Sequence, residues 1–299
     1  MKILSFGSMN IDNTYSVDEF VQPGETMTAK NLSKFCGGKG LNQSIALASA
    51  GADVAHFGCV GEDGDILLDM LKSRGVNTDS VIKIDNITSG HAIIQVDSHG
   101  QNSILLYPGA NRRMTPELID RELEKYSCGD WLLIQNETNC LEYIIRAANK
   151  KGMKIAFNPS PMDETVSTLP LELVDLFLVN EIEGAAVTGK EITEEITAEF
   201  ENLFPNAAVI LTLGKKGSIF KSEKDMLFQP SYCGTVKDTT GAGDTYTGFF
   251  IANYIKGVSP QECMRIAAMA STVQISRDGA AIAIPTKQEV LNALKNHCR

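Results

Sequence analysis

Short apolar runs and longer stretches of helical period take turns along this chain. Lys2 to Ser8 is brief and apolar without clean alternation, the pattern of a strand buried on both faces of a parallel sheet. Trp131 to Gln135, Lys154 to Phe157, Leu176 to Val179 and Ala208 to Thr212 repeat it. Helical stretches lie between and after these runs. One follows Gly37-Gly38-Lys39-Gly40 through Ala50 and closes at Gly51. Others cover Leu141 to Lys150, Asp244 to Ile255 and Pro260 to Ser276, and a short one after Pro285 reaches Leu294. Strands in turn with helices predict an α/β fold: a doubly wound, mostly parallel sheet flanked by helices on both faces.

Two stretches break this rhythm. Residues 14–35 alternate as β-structure does, at Tyr15, Val17 and Phe20, around a Pro23-Gly24 turn. Residues 92–96 and 103–107 flank a polar turn from Ser98 to Asn102 and read as a hairpin. We expect insertions 13–36 and 90–108 to form a small β-sheet, a lid on a single domain spanning 1–299. Exposed edges of such a sheet tend to be paired, so a homodimer joined through the lid is expected.

Polar residues recur where the predicted strands end: Asn10 and Asp12, Gln135 and Glu137, Asn158, Asn180 and Glu183, Thr212. Ligands of open α/β sheets bind beyond the carboxyl ends of the strands. Each of these residues alone is also an ordinary turn former; their recurrence favours one shared cleft.

Two glycine-rich loops precede helices, Gly37 to Gln43 and Asp238 to Asp244. In the second, Gly241-Ala242-Gly243 lets the backbone approach a phosphate, and the first helical turn offers free N–H groups. Asp244 stands where a carboxylate would take a proton from an attacking hydroxyl. Spacing alone leaves a second reading open, a glycine turn whose acid complements the helix dipole. Neither loop ends in Gly-Lys-Ser/Thr, and no G-x-G-x-x-G opens the first βα unit, which tells against a nicotinamide dehydrogenase.

Composition narrows the choice. A chain of 299 residues, 43% hydrophobic and 21% charged, has a composition ordinary for a soluble globular enzyme. Its net charge of −10, with acids and bases interspersed, argues against nucleic-acid or membrane partners. Seven cysteines (Cys36, Cys59, Cys128, Cys140, Cys233, Cys263 and Cys298) show no C-x-x-C spacing, and the four histidines show no metal-ligand spacing. A reduced, cytoplasmic setting and structural histidines are expected. The N-terminal apolar run meets Asp12 too early for a signal peptide.

The two glycine-rich loops together resemble the paired signatures of the ribokinase-like sugar kinases, the phosphofructokinase-B type. The similarity continues through Asn10-Ile11-Asp12, Pro108-Gly109-Ala110-Asn111, Asn180-Glu181-Ile182-Glu183 and Thr212-Leu213-Gly214. It implies ATP-dependent phosphorylation of a sugar's primary hydroxyl, O5 if the sugar is D-ribose. By position, Asn10, Asp12, Gly38, Lys39, Asn42 and Glu137 would hold the sugar. Asp244 would be the base, and the N–H groups around Gly241, Ala242 and Gly243 the anion hole. Asn180 and Glu183 would organise magnesium through waters, as suits an ion that dehydrates reluctantly. Thr212, Gly214, Lys215 and Gly217 would border the nucleotide, with Asn180 and Gly243. Asp238, Thr240, Gln274, Arg277, Gly279 and Ala283 match the ligand positions of a monovalent-cation loop, some of them through backbone carbonyls, so potassium activation is expected. Two departures stand out. Ala283 lacks the hydroxyl often found there, and Asn136 beside Glu137 adds polarity expected to alter the sugar contacts. A kinase of another sugar or a nucleoside, and a catalytically silent sugar- or nucleotide-binding protein, remain as alternatives.

Overall fold

Alternate residues of the main strands enter two separate cores. The computed structural model describes residues 1–297; Cys298 lies outside them. In chain order the strands are β1 (Ile3–Phe6), β2 (Asn10–Ser16), β3 (Asn31–Gly37), β4 (Val54–Val60), β5 (Val81–Lys83), β6 (Gly90–Val96) and β7 (Asn102–Tyr107). They continue with β8 (Trp131–Gln135), β9 (Lys154–Asn158), β10 (Leu176–Asn180), β11 (Ala208–Thr212), β12 (Ser218–Lys221) and β13 (Met226–Gln229). The helices are α1 (Lys39–Ser49), α2 (Asp65–Ser73), α3 (Pro116–Leu123), α4 (Leu141–Lys150) and α5 (Glu181–Thr188). After them come α6 (Thr193–Leu203), α7 (Ala242–Tyr254), α8 (Pro260–Gln274) and α9 (Lys287–His297).

Among the described residues, nine strands form the main sheet in the order β13-β12-β11-β10-β9-β8-β1-β4-β5. Strands β1, β4, β5 and β8 to β11 run parallel, and β12 and β13 add an antiparallel edge. Ile3, Leu133, Leu176 and Leu178 pack into one core with Leu41 of α1, Phe249 of α7 and Met264 of α8. Leu4, Phe6, Leu132, Ile134, Phe177 and Val179 enter the other with Ile145 of α4 and Phe200 of α6. Burial on both faces is what made these strands read as unbroken apolar runs. Each fully buried Phe or Leu contributes about 1.5–3 kcal/mol by its removal from water.

Helix α7 is buried almost all round, from Asp244 through Asn253. It lies between α1 and α8, where the small residues Ala267, Ala268 and Ala270 permit a close fit. At Gly248 any side chain would overlap Ala46 of α1. That contact holds α1 and α7 side by side, with both N-termini at one end of the sheet.

The second sheet has the order β3-β2-β6-β7, with β2 and β6 parallel and the outer pairs antiparallel. Its limits differ from the expected ones. The chain leaves β1 through Gly7-Ser8-Met9 alone, and Asn10 already pairs with Gly37 and Gly90. Asn10 and Asp12 are therefore strand residues of the small sheet, not turn residues beyond β1. Val17 and Phe20, whose alternation suggested a strand, lie in the connection from β2 to β3. The antiparallel pair β12–β13 escaped the sequence because each strand is only four residues long.

Candidate active site

Both helix N-termini at this end lack a side-chain cap. Gly38 precedes α1 at φ 93°, and Gly241 precedes α7 at φ 79°, a region that favours glycine. A Cβ at Gly40 would lie 2.5 Å from Cα of Gly7, so the start of α1 rests directly on the turn after β1. At α1 the first-turn amides are already taken, Lys39 N–H by Glu137 at 2.9 Å and Leu41 N–H by the Ser8 carbonyl at 2.9 Å. An uncapped first turn such as that of α7, by contrast, leaves N–H donors free for an anion. At α7 the donors differ slightly from expectation. The Ala242 amide turns back to the Thr239 carbonyl at 3.2 Å, while the Gly243 and Asp244 amides meet no acceptor among the described residues.

Asp244 is buried, and each carboxylate oxygen is held from a different side chain of α1. Asn42 Nδ2 donates to Oδ2 at 3.0 Å, and Gln43 Nε2 donates to Oδ1 at 2.9 Å. Gln43 is fixed in turn by Gln135 Nε2, which donates to its Oε1 at 2.7 Å. Gln43 Nε2 also reaches Asn158 Oδ1 at 3.3 Å, and Asn158 donates to the Leu178 carbonyl at 2.7 Å. The carboxylate is thus oriented by a relay reaching into the sheet, yet each oxygen keeps accepting capacity for a substrate hydroxyl. Asn42 was expected at the site as a sugar contact, not as a partner of Asp244. Gln43 was not expected, because the loop resemblance gives it no role and its partner lies far along the chain.

Toward the small sheet, Glu137 accepts from Ser8 Oγ and, at 2.9 Å, from the Lys39 amide. Burial raises the Glu137 carboxyl above its usual range, offset in part by Ser8 and Lys39. Burial and the neighbouring Glu137 push Asp12 up to about 7. Lys39 is half-buried, which opposes its charge, but Asp244, Glu137 and Glu183 together hold it above its usual value. Gly37 has no room for a side chain beside the Asp12 carboxylate. Asn10 is buried with Oδ1 accepting from Asn111 Nδ2 at 2.8 Å, while Asn111 Oδ1 accepts from the Met9 amide at 2.9 Å. Asn111 thereby acquires a positioning role that the sequence did not reveal. Asn136 does not reach toward the sugar residues: its amide donates to the Pro161 carbonyl at 2.8 Å, bracing two loops.

Lys39, Asn180, Glu183, Thr212 and the Gly241–Asp244 turn line one cleft beyond the strand ends. Asn180 and Glu183 form a capping box on α5: Asn180 Oδ1 accepts from the Glu183 amide at 2.9 Å, and Glu183 Oε2 accepts from the Asn180 amide at 3.0 Å. One Glu183 oxygen stays available to the cleft. Among the described residues no cluster of three or more His, Cys, Asp or Glu forms a metal cage. This donor set fits magnesium held through water and phosphate oxygens, not by the protein directly. Gly214, Lys215 and Gly217 stand in the turn just past Thr212. Gly217 is at φ 124°, where a Cβ would overlap the Gln229 carbonyl.

Of the six expected cation positions, Asp238 and Thr240 lie in the loop before α7, Gln274 ends α8, and Arg277, Gly279 and Ala283 follow it. Gln274 Nε2 donates to the Thr240 carbonyl at 2.6 Å and to the Gly279 carbonyl at 3.3 Å. The Arg277 guanidinium is engaged by Glu289 at 2.5 Å, and Ala283 brings no side-chain oxygen. A side-chain amide thus lies against the Thr240 and Gly279 carbonyls.

The family model for pfkB family carbohydrate kinases matches residues 1–287. The ribokinase of Haemophilus influenzae is 33% identical over 298 residues, covering 97% of each chain. A deoxyribokinase of Salmonella typhi is 29% identical and also covers 97% of both. The solved structure of Arabidopsis thaliana ribokinase, complexed with ribose and ATP, is 29% identical and superposes with a TM-score of 0.86 over 98% of this chain and of its own.

Proposed function

Since the chain belongs to the pfkB family of carbohydrate kinases, we propose that it transfers the γ-phosphoryl group of ATP to a sugar's primary hydroxyl, converting D-ribose to D-ribose 5-phosphate. The observation that carries the reaction is Asp244, held by Asn42 and Gln43 next to the free amides of Gly243 and Asp244.

In this reading, Asp12, Asn10, Lys39, Asn42 and Glu137 orient the sugar so that its hydroxyl points at Asp244. Asp244 takes the hydroxyl proton while the sugar oxygen bonds to the γ-phosphorus and the bond to the bridging oxygen of ADP breaks. ADP leaves with that electron pair. Charge spread over the phosphoryl oxygens faces the N-terminus of α7 and the Lys39 ammonium. Phosphoryl transfer needs such positioning and charge stabilisation more than covalent chemistry. Bound magnesium would neutralise phosphate charge from the side of Asn180 and Glu183. Thr212, Gly214, Lys215 and Gly217 border the nucleotide.

The small sheet acts as a lid, and we take the protein to be a cytoplasmic homodimer joined through that sheet. Ile104, Leu105, Leu106 and Tyr107 of β7 are consecutive, large and all exposed, and Leu32 and Phe35 add exposed apolar surface on β3. Six cysteines are free among the described residues, which suits a reducing compartment. No helix among the described residues is long and apolar enough to cross a membrane.

The likeness to a deoxyribokinase supports a second acceptor, deoxyribose. ADP release over a sugar panel decides between them. Ribose ranking first supports the proposal. Deoxyribose, fructose or a nucleoside ranking well above ribose replaces the acceptor, and no turnover with any of them removes the kinase reading.

A further inference from the structure

Two side chains lace together the loops that support the N-terminus of α7. Asp238 accepts two backbone amides, Thr240 N–H at 2.8 Å and Gly279 N–H at 3.0 Å. Gln274, fully buried at the end of α8, donates to the carbonyls of the same two residues, Thr240 and Gly279. One acid satisfies two donors and one amide satisfies two acceptors, so both loops are tied at both polar ends. The arrangement bears on the anion hole because a Cβ at Gly241 would come within 3.2 Å of Ala280 Cβ, in the loop just after Gly279.

We infer that the Gln274 carboxamide does for this loop pair what a bound monovalent cation would do, so that the anion hole is kept in shape without an ion. A carboxamide nitrogen carries two N–H donors, and both are used here on converging carbonyls. The opposite amide orientation would set an oxygen 2.6 Å from the Thr240 carbonyl with no donor between them. An ion between those two atoms has no space. Gln274 Oε1 is buried and unpartnered. A buried polar atom without a partner is costly; its retention fits an amide placed for its nitrogen. The inference rests on the kinase reading only where a rate is measured.

The test compares potassium with tetramethylammonium chloride at equal ionic strength. Two readouts are used: ADP release with ribose and ATP, and the thermal midpoint without substrates. For the unaltered protein, neither rate nor midpoint should depend on which cation is present. Gln274→Ala removes the donors and opens a space. Its rate in tetramethylammonium should fall by roughly tenfold, the effect of one lost hydrogen bond of ordinary strength, and recover in potassium or ammonium. Gln274→Met keeps the volume without donors and should stay slow in every salt. A severalfold rate increase, or a higher midpoint, for the unaltered protein in potassium overturns the inference. Full activity of Gln274→Met in tetramethylammonium overturns it as well. The thermal midpoint needs no substrate, so it decides the matter even if ribose is not the acceptor.

Discussion

Gln43 Nε2 stands 2.9 Å from Asp244 Oδ1, a contact between residues 201 positions apart. It fixes the direction of the reacting carboxylate, and it depends on the Gly248–Ala46 approach that sets α1 beside α7. Replacing Gln43 by Leu removes a hydrogen bond to a charged group, worth about 1.5–3 kcal/mol. The expected result is a kcat lower by roughly ten- to a hundredfold, with the ribose KM changed much less. Steady-state kinetics check it; a rise in KM alone would mean that Gln43 serves sugar binding instead.

Asp244→Asn keeps the shape of the first turn of α7 and removes the base. A positioned general base contributes roughly 10²–10⁴-fold, so kcat should fall by that order while the protein still folds and binds ribose. Calorimetric titration with ribose, run beside the rate assay, separates lost chemistry from lost binding. Turnover at the parent rate would end the assignment of Asp244 as base.

Asp12 predicts a pH dependence. Its carboxyl is raised from 3.8 to about 7 by burial and by Glu137. Between those values the folded chain binds the proton and the unfolded chain does not, so this group's contribution to stability is full below about 4 and is lost as pH rises through 7. Asp12→Asn should therefore raise the thermal midpoint at pH 8 and leave it nearly unchanged at pH 4. The proton also removes an acceptor from the sugar site, so the ribose KM of the parent should climb as pH drops below about 7. A thermal-shift series across pH, with parent and variant side by side, tests the first point, and KM measured over the same range tests the second.

The exposed row on β7 predicts an assembly. Leu105 is 67% exposed on an edge strand, where a charge blocks strand-to-strand pairing. Leu105→Lys should convert a dimer to monomer in light scattering and weaken sugar binding, with the chain still folded. A parent protein that is monomeric at all concentrations contradicts the dimer.

Strands β1 and β8 to β11 of the main sheet were legible because they are short apolar runs between helices punctuated by glycine and proline, whereas β4 and β5 were not read. The reacting turn, Gly241 to Asp244, was legible because it is local in sequence. Relations between distant segments were not. Gln43, Gln135 and Asn158 form a relay to Asp244 only once β8, β9 and α1 are neighbours. Asn111 meets Asn10 only after the small sheet has brought residues 101 positions apart together. Gln274 lay in the cation loop by resemblance, but a matched position does not reveal whether the backbone or the side chain faces inward.

The three-residue passage Gly7-Ser8-Met9 puts Asn10 and Asp12 on the small sheet, while Asp244 sits in the first turn of α7. A molecule must be long enough to touch both in order to bring them together. Water is nucleophilic and abundant, but it is too small to make that span. An enzyme built this way would spare its ATP from hydrolysis by measuring the length of the acceptor, not its reactivity.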